Sequence, residues 1–291
     1  MTSPPFPIKV FVMIAITGAS GQLGRLVIQS LLERVPAEQI VALVRDPGKV
    51  QDLAARGVAV RAADYNQPAT LTAALKGVDK LLLISSNELG SRAAQHRAVI
   101  DAAKAAGVTL LAYTSVLHAD TSTLGLAAEH RDTEAALKAS GVPHVLLRNG
   151  WYTENYLANV PSAAEHGVLL GSAGEGRISS APRADYAQAA AVVLTTEGQA
   201  GKVYELAGDS SYTLTELAAL ISQKTGKPVV YQNLPQAEFE AVLISVGLPA
   251  GLAALLADSD AAAAKGALFD ESGVLGRLIG RGTVSVGESL G

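Results

Sequence analysis

"ITGASGQLG", residues 16–24, places three glycines between a short apolar run and a segment of helical periodicity. The spacing of Gly18, Gly21 and Gly24 fits a strand that turns tightly into a helix. Gly18 lets the backbone turn, and Gly21 leaves open the space a pyrophosphate needs. Gly24, one turn into the helix, lets that helix pack closely on the strand. Backbone N–H groups at the helix start then face the phosphate, and the helix dipole favours its charge. The Ser20 hydroxyl adds a donor, while Ala19, Gln22 and Leu23 complete the loop. Three glycines alone are a weak signal, since turns and close packing use them too. Here strand, loop, helix and second strand follow in order, and that order predicts a bound dinucleotide.

Outward from the loop the alternation continues. "VMIAIT", "IVALVR", "VAVRAAD", "KLLLISS", "TLLAYTS" and "HVLLR" read as strands, most of them apolar on both faces. Parallel strands covered by helices on each side have this composition. Helical patterns fill the gaps at 22–34, 91–106 and 127–140, and "KAAGV" and "KASGV" each end a helix with glycine. The expected architecture is therefore α/β, a Rossmann-type doubly wound parallel sheet with right-handed crossovers. The second strand ends "LVRDP", where cofactor choice is usually made. Asp46 before Pro47 reads as a helix cap, which leaves Arg45 to stack on adenine and pair with a 2′-phosphate, or to stand as a solvated surface arginine. Asp64, ending the third strand, offers a carboxylate to the adenine amino group. Ser85, Ser86 and Asn87 end the fourth, where ligands of such sheets lie, although turns use the same residues.

After Arg148 the rhythm changes. "NGWYTENYLANV" holds the chain's single tryptophan, and "GSAGEGRIS" is glycine-rich. "RADYAQAAAVVLTT" reads as a helix and "KVYELAG" as a strand able to rejoin the sheet. "LTELAALISQKTG", "PVVYQNL" and the alanine- and leucine-rich stretch 237–257 follow. The expected division is a cofactor-binding domain over 1–150, to which 184–207 returns, and a smaller C-terminal α/β capping domain over 151–291. Residues 1–12 read as an upstream extension, because the first strand begins at Met13.

Composition narrows the function. Forty-nine per cent of the 291 residues are hydrophobic and 17% charged, so the chain buries a sizeable core. A net charge of −4 argues against nucleic acid as a partner. There is no cysteine, and the five histidines are scattered, so thiolate chemistry is excluded and no metal site is expected. No run reaches the ~18 apolar residues of a membrane span. "IKVFVMIAITGASG" faintly resembles an export signal, but cleavage there would destroy the glycine loop, and the expected location is the cytoplasm.

Together "MIAITGASGQLG", "VALVRDP", "ADY", "KLLLISS", "YTSVLHAD" and "LLRNGWYTENYL" resemble the NmrA-like branch of atypical short-chain dehydrogenases, in particular its bacterial quinone reductases. The likeness runs from Met13 to about Ile279. It implies a flavin-free enzyme passing hydride from NADPH to a quinone, as a monomer or homodimer. The family's cofactor contacts carry over to Gly18, Ala19, Ser20, Gly21, Gln22 and Leu23, to Arg45 and Asn87, to Gly150, Trp151, Tyr152, Thr153, Glu154 and Asn155, and to Ser180. The resemblance sets "GWYTEN" beside the nicotinamide. Trp151 and Tyr152 then offer flat apolar surface, although Trp151 reads equally as a core anchor. The usual Tyr-x-x-x-Lys acid is missing: its region reads "LAAEHRDTEAALK", where His130 and Glu134 share one helical face, expected to be solvated, with a proton relay between them as the alternative. A quinone gains aromaticity on accepting hydride, and its developing phenolate is a weak base, so the missing acid weighs little against quinone reduction. Asn155 is the expected orienting donor. The alternative is a redox sensor that binds NADP(H) and acts through a protein partner.

Overall fold

The computed structural model describes residues 11–88 and 90–291, so residues 1–10 of the expected upstream extension lie outside the described residues. Seven strands form the main sheet: β1 (Ile14–Ile16), β2 (Ile40–Val44), β3 (Ala59–Ala62), β4 (Lys80–Leu83), β5 (Leu110–Val116), β6 (His144–Asn149) and, after an excursion through β7 (Val168–Gly171), β8 (Val203–Leu206). Their order is β3-β2-β1-β4-β5-β6-β8, and every pairing is parallel. The order reverses between β1 and β4, where chains leaving the strand ends diverge and open a crevice.

Parallel strands need crossovers, and the first five helices supply them: α1 (Gln22–Leu32), α2 (Gln51–Ala55), α3 (Pro68–Ala74), α4 (Arg92–Ala106) and α5 (Ala127–Ser140). Side chains alternate across the sheet. Ile14 and Ile16 join Val27, Ile28 and Leu31 of α1 in one buried layer, whereas Ala15 between them faces Leu71, Val99 and Ile100 in the other. Both layers are dry, which is why β1, β2, β4 and β5 are buried along their whole length. Gly107 and Gly141 end α4 and α5 in the left-handed conformation, at φ of 74° and 75°.

Beyond β6 come α6 (Thr153–Leu157), α7 (Val160–His166), α8 (Arg183–Thr195) and α9 (Leu214–Thr225). Helix α8 packs along α1 and fills the same core layer with Ala187, Ala190, Val193 and Leu194. The strand β9 (Val230–Asn233) pairs with β7 in a separate two-stranded sheet. The stretch 237–257 does not form one helix: the "VGLP" turn breaks it into α10 (Gln236–Ser245) and α11 (Ala250–Ala263). The short α12 (Val274–Ile279) returns to the α1–α8 layer, and α13 (Val286–Ser289) ends the chain. A further core gathers Trp151, Tyr156, Leu169, Leu214, Leu217, Ile221 and Ala263 around the small sheet.

Polar groups seam these parts together. Arg148 on β6 makes a two-pronged contact with Glu134 of α5 (Nη2–Oε2 2.7 Å, Nε–Oε1 3.0 Å). Its Nη1 reaches Glu205 of β8 at 2.8 Å and Asp120 at 3.1 Å. The Glu134 hydrogen bonds first, and then those of Glu205, outweigh burial and hold this nearly buried guanidinium firmly in its charged form. The return strand is thereby tied to α5 through one side chain.

Candidate functional site

The crevice at the strand reversal is a cavity of about 270 Å³ lined by the loops that follow β1, β2, β3 and β4. Its floor is the glycine loop. Gly18 has φ +58°, a conformation that strains any residue with a Cβ. A Cβ on Gly24 would stand 2.8 Å from Ala19 Cα, so its close approach is to the loop itself rather than to the strand. Gly21 caps α1 without any side-chain hydrogen bond, so the first N–H groups of the helix are left for a ligand. Thr17 braces the loop from below: its hydroxyl donates to Leu82 O and accepts from Ile84 N–H.

The sequence-derived candidates fall into two groups. Gly18, Ser20, Gly21, Arg45, Asp64 and Asn87 line the cavity, with Ser85 and Ser86. Gln22 is exposed at the first helical turn, while Ala19 and Leu23 are buried in the α1 layer. Asp46 caps the turn beginning at Pro47 by accepting from Gly48 N–H at 2.9 Å, which leaves Arg45 for the cavity. Asp64 also supports its own loop, accepting from Asn66 N–H and from Gln67 Nε2.

The second group lies on the path from β6 into α6, with Ser180 from the loop before α8, and does not line that cavity. Gly150 donates its N–H to Leu206 O, and a Cβ there would stand 3.1 Å from the Tyr186 hydroxyl. Trp151 is a core anchor, with its side chain in the C-terminal core and its carbonyl accepting from Ala181 N–H. Thr153 and Ser180 are buried together: their hydroxyls meet at 2.8 Å, and Ser180 meets the Tyr212 hydroxyl at 2.8 Å. Those three hydroxyls satisfy one another away from solvent.

Tyr152, Glu154 and Asn155 are organised by a residue that sequence reading did not single out. The Arg183 guanidinium lies 4.3 Å above the Tyr152 ring, reaches Glu154 at 3.3 Å and donates to Asn155 Oδ1 at 3.0 Å. A guanidinium only donates, so the Asn155 oxygen must face it and the NH₂ group points elsewhere. Burial raises the Tyr152 phenol above its ordinary range, so it stays neutral. Nothing in the local spacing links residues 155 and 183. The signal available was an arginine directly after a proline, opening a helix.

The expectation for His130 needs correction. Its face of α5 is not solvated: His130 is 4% exposed, and its Nδ1 lies 2.7 Å from the Tyr113 hydroxyl. Glu134, which shares that face, turns instead to Arg148 and Ser115, so the two form no relay. Helix α4 packs against α5. Beside it lies His96, fully buried: its Nε2 accepts the Ser86 N–H at 2.9 Å, so its Nδ1–H donates to Thr133 Oγ1. Thr133 passes the bond on to Glu129 O. The tautomer follows from this chain of partners. His96 thereby holds the loop that carries Ser86 and Asn87 to the cavity wall. Tyr65, Asn66, Glu88 and Gln95 complete the wall, and sequence reading had named none of these four as a ligand.

The model of the NmrA-like family matches residues 12–274. Quinone oxidoreductase 2 of Escherichia coli strain K12 is 63% identical over 278 residues, covering 96% of this chain and 97% of that protein. A crystal structure of NADPH-dependent quinone oxidoreductase QOR2 from the same species, complexed with NADPH, is similar at a TM-score of 0.94 and 63% identity. It covers 96% of this chain and 98% of its own. Triphenylmethane reductase of Citrobacter sp., complexed with NADP(H), has a TM-score of 0.92 at 40% identity, covering 95% and 98% respectively. The glycine loop at a parallel-sheet switch point, the capped "RDP" turn and a match over nearly the whole chain converge: this protein belongs to the NmrA-like family.

Proposed function

We propose that the chain is an NADPH-dependent quinone oxidoreductase. The observation that carries this reading is the 63% identity with a quinone oxidoreductase over 96% of the chain, which spans every loop of the cavity. A likeness of that extent to an oxidoreductase weighs for turnover over redox sensing. NADPH, when bound, supplies the hydride.

The chain's own residues bind, orient and shield. The uncapped N–H groups of α1 take the pyrophosphate, because their dipole and the absent Cβ of Gly21 favour an anion at close range. Arg45, at the mouth of the cavity, takes the 2′-phosphate through charge-assisted hydrogen bonds. Asp64 keeps lone pairs for the adenine amine while it supports its loop. Asn155, its oxygen engaged by Arg183, offers its NH₂ to the acceptor oxygen on which charge develops. An amide carries no proton to give at neutral pH. A quinone does not need one in the transition state, and most of the acceleration comes from holding two flat rings face to face. The part of the chain from 151 onward, apart from the returning segment 184–207 and α12, which packs on the α1–α8 layer, caps the acceptor side. On this reading the protein works in the cytoplasm, where NADPH is kept reduced, as a monomer or homodimer.

The test follows NADPH absorbance with purified protein and a benzoquinone or naphthoquinone. Steady consumption well beyond one equivalent of NADPH is the expected result. Tight NADPH binding without turnover refutes the enzyme and leaves the sensor.

A further inference from the structure

We propose that Glu88 sets the preference between NADPH and NADH by competing with the 2′-phosphate for Arg45. The inference deepens the cofactor reading above and rests on it. The two side chains meet across the mouth of the cavity, with Arg45 Nη1 3.4 Å from Glu88 Oε1. They are not equally free to move. The Arg45 side chain is 69% exposed, and Glu88 Oε1 is the one side-chain partner recorded for it among the described residues.

Glu88 is anchored from beneath. Its Oε2 accepts from Gln95 Nε2 at 2.6 Å, and its backbone N–H donates to Ser86 Oγ. Gln95 is itself only 3% exposed and donates also to Asn66 Oδ1. A buried amide on α4 therefore holds a carboxylate at the rim of a site that is to receive a phosphate. The Gln95 hydrogen bond does not by itself require a charge there, since a neutral amide oxygen would also accept it, though more weakly.

The consequence is electrostatic. A 2′-phosphate must draw Arg45 away from Glu88, or share it, and then stand near a negative charge that the Gln95 hydrogen bond restrains. A plain 2′-hydroxyl meets neither obstacle. The arginine rewards the phosphate and the anchored carboxylate reduces that reward, so the ratio of the two affinities is set by the pair. Both groups are partly solvated, so screening keeps the effect moderate.

The test measures dissociation constants of NADPH and NADH by fluorescence titration for wild type, Glu88→Gln, Arg45→Ala and the double variant. In Glu88→Gln, NADPH should bind roughly threefold to tenfold more tightly and NADH should stay within about twofold. In the Arg45→Ala background the Glu88→Gln change should shrink to less than half, because the competition is gone. Glu88→Ala, checked for folding by circular dichroism, should shift the NADPH affinity in the same direction. Equal changes for both cofactors, or an undiminished effect without Arg45, would overturn the proposal and make Glu88 a general support of the loop. Wild type that binds both cofactors with a ratio unmoved by Glu88→Gln overturns this inference alone. Wild type that binds neither overturns the cofactor reading with it.

Discussion

Lowering the pH from 7.5 to 5.0 should remove about 4 kcal/mol of stability through His96 and His130 alone. Both rings are held neutral in the fold. Burial comes first among the causes, and the Arg92 guanidinium adds to it in each case; together they push both histidines down to about 3. An unfolded histidine titrates near 6.5. The folded value thus lies below the unfolded one, so the unfolded chain takes up protons first as pH falls. The stabilisation is complete above about pH 6.5 and is lost progressively toward pH 3. At pH 5.0 the loss is RT ln(1 + 10^1.5), or about 2 kcal/mol per ring. The folded rings remain neutral throughout this window, so the figure depends little on how far below 4 they titrate. For a chain of this size about 4 kcal/mol corresponds to a fall in Tm of roughly 8 °C. Scanning calorimetry at half-unit steps from pH 7.5 to 5.0 reads it directly. His130→Gln will start from a lower Tm, because Tyr113 loses its partner, but it should fall only about half as far over the same range. A wild-type Tm that moves by less than about 2 °C, or a His130→Gln slope equal to wild type, refutes the buried neutral pair.

Arg45→Ala should weaken NADPH binding by about 1.5–3 kcal/mol with NADH little changed, as measured by titration of both cofactors; an equal loss for both would make Arg45 a general support of the adenine end. Asn155→Ala should slow quinone turnover roughly tenfold to a thousandfold while NADPH affinity changes less, so steady-state rates beside dissociation constants separate the two effects, and normal turnover would remove the orienting role. Arg148→Met should cost about 3–5 kcal/mol in urea unfolding, because Glu134 and Glu205 are left without their counter-ion; a loss below about 1 kcal/mol would mean that water reaches the seam.

The parts of this protein that could be read from its sequence are those whose cause is local. The glycine loop, the Asp46–Pro47 cap and the glycines that end α4 and α5 are each specified by residues within one turn of one another. The strand pattern reported that β1, β2, β4 and β5 are covered on both faces, and alternation within a strand is again a short-range property. Even the return of residues 203–206 to the sheet was visible, because "KVYELAG" reads as a strand following a long helix, as a further parallel strand of such a sheet does.

What was not legible lies where two polar groups meet from distant parts of the chain. The helix "AAEHRDTEAALK" carries so many charged groups that solvent is the natural partner for His130. The structure gives it Tyr113 instead, 17 residues away and on the neighbouring strand. A clue did exist on the other side of that bond: a tyrosine inside a fully buried strand needs something for its hydroxyl. Arg183 poses the same problem over 28 residues, since the amide it orients lies on another helix and the ring it covers stands just before that helix. Glu88 and Gln95 pose it at seven, with one on a loop and one on a helix, so that no periodicity pairs them. Apolar periodicity says which face of an element is covered but is silent about what covers it, because any apolar neighbour is acceptable there. A buried hydrogen bond needs one particular donor opposite one particular acceptor, and that requirement is met only when the tertiary fold brings them together. The walls of the cavity are assembled from such pairs, so the glycine loop at its floor could be read in advance, whereas the contacts of Glu88 and Asn155 emerge only from the three-dimensional arrangement.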